Sequence, residues 1–189
     1  DGVDIRGQDI YRRLQSGELP QTSLPRVEDF SAKLHEIFDL GYDGVIAVML
    51  SSGLSGTYNL MRLCAQDVKD ELDVRVYDSK SASLGQGMTV LRLAEDIRSG
   101  MSWEELTERR VPALLGRVYP FFSVDTLEYL KKGGRIGKVT AAAGTLLRIK
   151  PILTLASDGQ LQSAAKVRGR GQVIDKLVEL VKAACGEHK

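Results

Sequence analysis

The sequence predicts an α/β fold: a parallel-sheet N-terminal domain, residues 1–120, followed by a second, α+β domain, residues 121–189. Three observations predict it. Residues 45–50, VIAVML, are apolar at every position, as in a strand buried on both faces of a parallel sheet. A serine-rich loop, a helical stripe and a second short run, VRVYD at 74–78, follow, which makes strand, crossover helix, strand. Further on, two strand-like runs flank Asp158-Gly159, a hairpin signal, and lead into a helix.

The elements can be justified in order. GQDIYRRLQSG spaces Ile10 and Leu14 four apart and ends on Gly17, a short helix with a glycine stop. After the turn ELPQTSLP, the segment VEDFSAKLHEIFDLG carries Phe30, Leu34, Ile37 and Phe38 at helical spacing and closes at Gly41. Beyond the strand at 45–50 and its loop, Met61, Cys64, Ala65, Val68 and Leu72 form one helical stripe. The strand at 74–78 runs into SKSASLGQG, and a helix is expected from Gly87 to Arg98. Another starts at Ser102, with Glu105 three places on as a capping box. RVYPFFSV, from residue 117, reads as a strand, and DTLEYLKKGG as a short helix capped by Asp125 and stopped by Gly133. The last helix, 171–185, places Val173, Ile174, Leu177, Val181 and Ala184 on one face.

Composition narrows the function. The 189 residues include 26 basic and 25 acidic side chains, a formal net charge of +1, which gives no reason to expect nucleic acid as a partner. No apolar stretch approaches the roughly 20 residues of a membrane span. Cys64 and Cys185 lie far apart without metal-type spacing, and each is expected as a small buried hydrophobe on a helix in a reducing, cytoplasmic setting. The chain opens at Asp1 in what reads as mid-domain sequence, so a fragment with both domains incomplete is expected.

The loop SSGLSGTYN, residues 51–59, joins the first strand to a helix. A helix N-terminus there carries unpaired N–H groups and partial positive charge, a site for an anion or polar headgroup. Ser51, Ser52 and Ser55 add hydroxyls, and Gly53 and Gly56 allow close approach. Simple N-capping is the alternative, but a cap needs one such residue rather than five. Nucleophilic catalysis by Ser55 is not supported: G-x-S-x-G fails at Thr57, and no base is placed for it. His35 reads as a surface residue of a helix, and His188 as part of the C-terminal end. GGRIGKVT, residues 133–140, lacks the hydroxyl residue that a phosphate loop needs after Gly-Lys. No carboxylate pair or His/Cys/Asp cluster marks an acid–base couple or a metal, and no cofactor is expected. In QTSLP, Thr22 and Ser23 either contact a ligand or cap the next helix. Lys166, Arg168 and Arg170 alternate, so on a strand they share a face, either a solvated one or one that docks an acidic or phosphate-bearing partner.

Taken in order, DGVDI, QTSLP, SSGLSGTYN, VYDSKSASLGQG, FSVDTLEYLKKGGRIG and IKPIL…DGQL…KVR resemble the DegV family of bacterial fatty-acid-binding proteins over nearly the whole chain. The resemblance implies a non-catalytic protein that holds a long-chain fatty acid between two domains. It also implies a partner, a fatty acid kinase, which phosphorylates the presented carboxylate for phospholipid synthesis. By similarity Thr22, Ser23, Ser51 and Ser52 hold the headgroup, while Ser55 and Gly56 shape the loop. Arg135, in G-G-R-I, and the row Lys166, Arg168 and Arg170 are candidates for the kinase-facing surface; Arg135 also reads as a cation at a helix C-terminus. Leu24 stands where the family pattern has glutamine. The family's first strand and its C-terminal histidine segment are absent, and His188 does not match that context. A phosphate or phosphosugar binder using the same loop is the alternative function.

Overall fold

The computed structural model describes residues 4–139 and 149–186; the first three residues of DGVDI, Thr140 and His188 lie outside the described residues. Two sheets organise the chain. In the first, β1 (Gly44–Met49) pairs in parallel with β2 (Asp73–Asp78), in register from Gly44–Asp73 to Met49–Asp78. The crossover is α3 (Thr57–Asp67). Strand alternation explains why β1 is apolar throughout. Val45, Ala47 and Met49 pack with α2 (Val27–Asp39) and α3 around buried Leu34, Met61, Cys64, Val68 and Leu72. Ile46 and Val48 face the other way, toward Leu93, Leu106 and Val111. Leu93 belongs to α4 (Ser83–Arg98). The first helix is α1 (Gly7–Gln15), and Gly17 and Gly41 take the left-handed backbone expected after α1 and α2.

The second sheet is antiparallel, in the order β3 (Phe122–Ser123), β4 (Ile149–Leu155), β5 (Leu161–Arg168). Its core of Val139, Leu153 and Leu161 also takes in Leu54 from the serine loop. The hairpin around Asp158-Gly159 is present: Gly159 N donates to Ala156 O at 2.8 Å, and Gly159 has φ +79. That is a longer turn with a left-handed glycine rather than a two-residue loop. Between β3 and β4 lies α6 (Glu128–Lys132), and α7 (Gly171–Gly186) follows β5.

Six expectations need correction. The helix starting at Ser102 has its predicted cap, Glu105 N donating to Ser102 Oγ at 3.3 Å, but then runs as a π-helical segment, Glu105–Arg110, into α5 (Val111–Leu115). Pro112 brings no N–H to the ladder, and Tyr77 Oη donates to the Thr107 carbonyl at 2.8 Å, so the slipped ladder is compensated from outside. The strand expected from 117 shrinks to Phe122–Ser123, since Pro120 cannot donate and constrains Tyr119. Helix α4 starts at Ser83 rather than Gly87, and Asp125 does not cap α6; Thr126 Oγ1 accepts from Glu128 N while Asp125 pairs with Lys150 at 2.9 Å. Cys64 is buried, but Cys185 is exposed. Phe38 on α2 and Ile174 and Val181 on α7 are likewise exposed, so those stripes are narrower than their spacing suggested.

Candidate functional site

The serine loop starts at the carboxyl end of β1, next to the loop that leaves β2, and Gly159 and Gln160 of the hairpin reach into the same place. Ser51 is fully buried there. Its Oγ donates to Gly159 O at 2.7 Å, its N donates to Ser81 O at 2.9 Å, and its carbonyl accepts from Leu54 N and Ser55 N. A Cβ on Gly53 would overlap the Gly159 backbone, and one on Gly159 would overlap Ser51 Oγ. The two sheets are joined here by backbone-to-backbone contact that only glycine permits.

Ser52, next to this joint, is held by the end of β2 and the loop after it. Its N donates to Asp78 Oδ1 at 3.1 Å, and its hydroxyl accepts from Lys80 Nζ at 3.2 Å. Lys80 Nζ also pairs with Asp78 Oδ2 at 2.7 Å, and Lys80 holds a left-handed backbone, φ +48, that a non-glycine residue adopts at some cost. Burial works to raise the Asp78 carboxyl, but hydrogen bonds from Lys80 and Ser52 outweigh it and hold Asp78 below its ordinary value.

On the other side of the loop a cleft of about 1000 Å³ opens. That is at the top of the roughly 300–1,000 Å³ usual for small-molecule sites. Leu14, Leu19, Leu24, Leu50, Leu54 and Leu130 give it apolar walls. Its polar groups come from three segments: Thr22 and Ser23; Ser55 and Thr57; Lys132 and Arg135. Ser55 Oγ and Thr57 Oγ1 are 2.7 Å apart, and Thr57 N donates to Ser55 Oγ at 3.3 Å. This pair sits at the N-terminus of α3, whose N-cap position, Gly56, supplies no side-chain cap. Arg135 ties the far wall to the loop, Nε donating to Leu54 O at 3.3 Å and Nη1 to Gly133 O at 2.6 Å.

The structure therefore divides the expected site residues. Thr22, Ser23, Ser55 and Arg135 line one cleft; Ser51 stands behind it in the joint, with Ser52 next to it. Gly56 has an ordinary helical backbone, φ −72, and a Cβ there would make ordinary contact with Leu24 at 3.4 Å. Lys166, Arg168 and Arg170 are exposed along β5 and beyond its end, away from the cleft lining. Thr57 was missed and could have been found as the hydroxyl two places after Ser55. Gly53, expected to allow close approach of a ligand, instead admits the Gly159 backbone, for which the sequence has no local signal. Among the described residues no group of three or more His, Cys, Asp or Glu could hold a metal ion, and no helix is long and apolar enough to cross a membrane.

Comparison with known proteins places these features. The family model described as "Uncharacterised protein, DegV family" matches residues 1–189. A DegV domain-containing protein of Clostridium acetobutylicum is 37% identical over 182 residues, covering 96% of this chain and 64% of that protein. Among solved structures, a DegV family protein from Thermus thermophilus, described for its fatty acid binding, matches with a TM-score of 0.84 at 37% identity, over 95% of this chain and 63% of that one. DegV from Bacillus subtilis, described as a fatty acid binding protein, matches with a TM-score of 0.80 at 33% identity, over 94% and 62%. The chain thus spans a little under two thirds of the length of these relatives.

Proposed function

Since this chain belongs to the DegV family, we propose that it binds a long-chain fatty acid in the leucine-walled cleft and presents the carboxylate to a fatty acid kinase. The cleft itself carries the proposal: apolar walls lead to a hydroxyl pair at the N-terminus of α3. An acyl tail matches the first feature and a carboxylate the second. Burying roughly fourteen methylenes at about 0.8 kcal/mol each is worth on the order of 11 kcal/mol gross. Charge-assisted hydrogen bonds add roughly 1.5–3 kcal/mol each. The tail supplies most of the affinity, and Ser55, Thr57, Thr22 and Ser23 set its direction. A bound phosphate or phosphosugar would use the same helix N-terminus but would leave the leucines without a ligand to cover.

The protein's part is binding rather than catalysis. His35, on α2, has Nδ1 2.7 Å from Ser31 O and is exposed, so it serves no cleft hydroxyl as a base. We take residues 1–120 and 121–189 as the two domains, with the cleft between them and Ser51 and Gly159 as their joint. The exposed row Lys166, Arg168 and Arg170 supports docking of an acidic kinase surface, and Arg135 at the cleft would lie close to the phosphorylated group. A cytoplasmic setting fits a kinase that uses ATP.

Mass spectrometry of organic extracts from the purified protein tests this. A stoichiometric fatty acid, much reduced in a Thr22→Ala, Ser55→Ala variant, is the expected result. Extracts without lipid, together with saturable binding of inorganic phosphate, would replace fatty acid binding by the phosphate alternative.

A further inference from the structure

The hydroxyl pair of the cleft has carbon for a neighbour on one side. Leu24, in the turn that carries Thr22 and Ser23, lays its side chain over Gly56: a Cβ on Gly56 would lie 3.4 Å and 3.5 Å from the two Leu24 methyl carbons. Gly56 stands between Ser55 and Thr57 and brings no side chain of its own. The surface beside the pair is thus a leucine on a glycine, and neither residue has a side-chain group that can give or take a hydrogen bond. Leu50 and Leu54 line the same cleft. Leu24 stands where the family pattern has glutamine, so this carbon surface is a feature of the chain itself.

A carboxylate on Ser55 and Thr57 would set the first carbons of its chain against that surface. A methylene group gains by leaving water there, whereas a hydroxyl next to the carboxylate would give up part of its water without finding a partner. We propose that Leu24 determines specificity beside the headgroup, favouring an unsubstituted acyl chain over a 2-hydroxy acid of the same length. This rests on fatty acid binding as proposed above and concerns the carbon next to the carboxylate of that ligand. Leu24 is 49% exposed, so water still reaches the position and the discrimination is moderate.

The test is the affinity of hexadecanoate and of 2-hydroxyhexadecanoate for the wild type, Leu24→Gln and Leu24→Met. Glutamine and methionine reach equally far, but only glutamine offers the hydroxyl a strong donor and acceptor. Leu24 belongs to none of the three buried cores, so neither substitution should unfold the chain. The wild type should bind hexadecanoate about tenfold more tightly than the hydroxy acid. Leu24→Gln should narrow that ratio to about twofold, and Leu24→Met should keep it. Equal affinity of the wild type for both acids would overturn the proposal. So would a ratio that Leu24→Gln leaves unchanged, or one that both variants narrow alike, since Leu24 would then act as plain wall or through its shape. Failure of the wild type to bind either acid would remove fatty acid binding itself, and the specificity with it.

Discussion

Ser51 and Ser55 stand four residues apart in one loop, yet Ser51 is fully buried with its hydroxyl on a hairpin carbonyl, while Ser55 lines a cleft with its hydroxyl on Thr57. The same residue type serves a joint at one end of the loop and faces an open cleft at the other. Burial and partner make the difference. A serine whose oxygen already satisfies a buried carbonyl has little left for a ligand, and removing it leaves that carbonyl unpaired. A serine on an open wall can be removed with little structural cost. Variants of the joint should therefore act on stability and variants of the wall on binding.

The largest effect is expected at the glycines of the joint. Gly159→Ala places a methyl group against Ser51 Oγ at a left-handed backbone, and Gly53→Ala drives one into the Gly159 backbone. Each should destabilise by about 3 kcal/mol in denaturant titration. A loss near zero would mean that the two sheets separate readily at this point. Next comes Ser51→Ala, at about 2 kcal/mol, because Gly159 O then lacks its buried donor. The double variant Ser55→Ala, Thr57→Val reverses the pattern: unfolding should shift by less than about 0.5 kcal/mol, while hexadecanoate affinity in a fluorescence titration falls about tenfold. If Ser51→Ala weakens the ligand more than this double variant does, the division of the loop is wrong.

The smallest effect is one of pH. Asp78 holds its carboxyl below the ordinary value, so its contribution to stability is full above about pH 4 and is lost as pH falls through the folded-state value. Other aspartates are lowered too, among them Asp125 and Asp158, so the useful quantity is the difference between wild type and Asp78→Asn. Between pH 5 and pH 2 the stability of the variant should fall less steeply. Parallel curves would mean that the Lys80 and Ser52 bonds to Asp78 contribute nothing in solution.

Much of the fold was legible because the chain states it locally. VIAVML reads as a strand buried on both faces, and its residues do divide between the α2–α3 layer and the α4 side. The hairpin was legible from Asp158-Gly159, where a left-handed turn favours glycine. The π-helical segment was not, since the slip depends on a hydroxyl from Tyr77, 30 residues away. The loop as a candidate site was legible from its excess of hydroxyls. Which serine faces the cleft was not, because the partner that takes Ser51 lies 108 residues further along the chain. Spacing within a motif gives the chemistry on offer; tertiary contact decides which of those groups is already spent.

A crystal structure of the chain with hexadecanoate would decide most directly between the two ends of the loop. The carboxylate is predicted within hydrogen-bond distance of Ser55 and Thr57, with the acyl chain running along Leu24, Leu50 and Leu54, and with the Ser51–Gly159 bond unchanged. A carboxylate bound at Ser52 and Lys80 instead, or an acyl chain outside this cleft, would contradict the assignment.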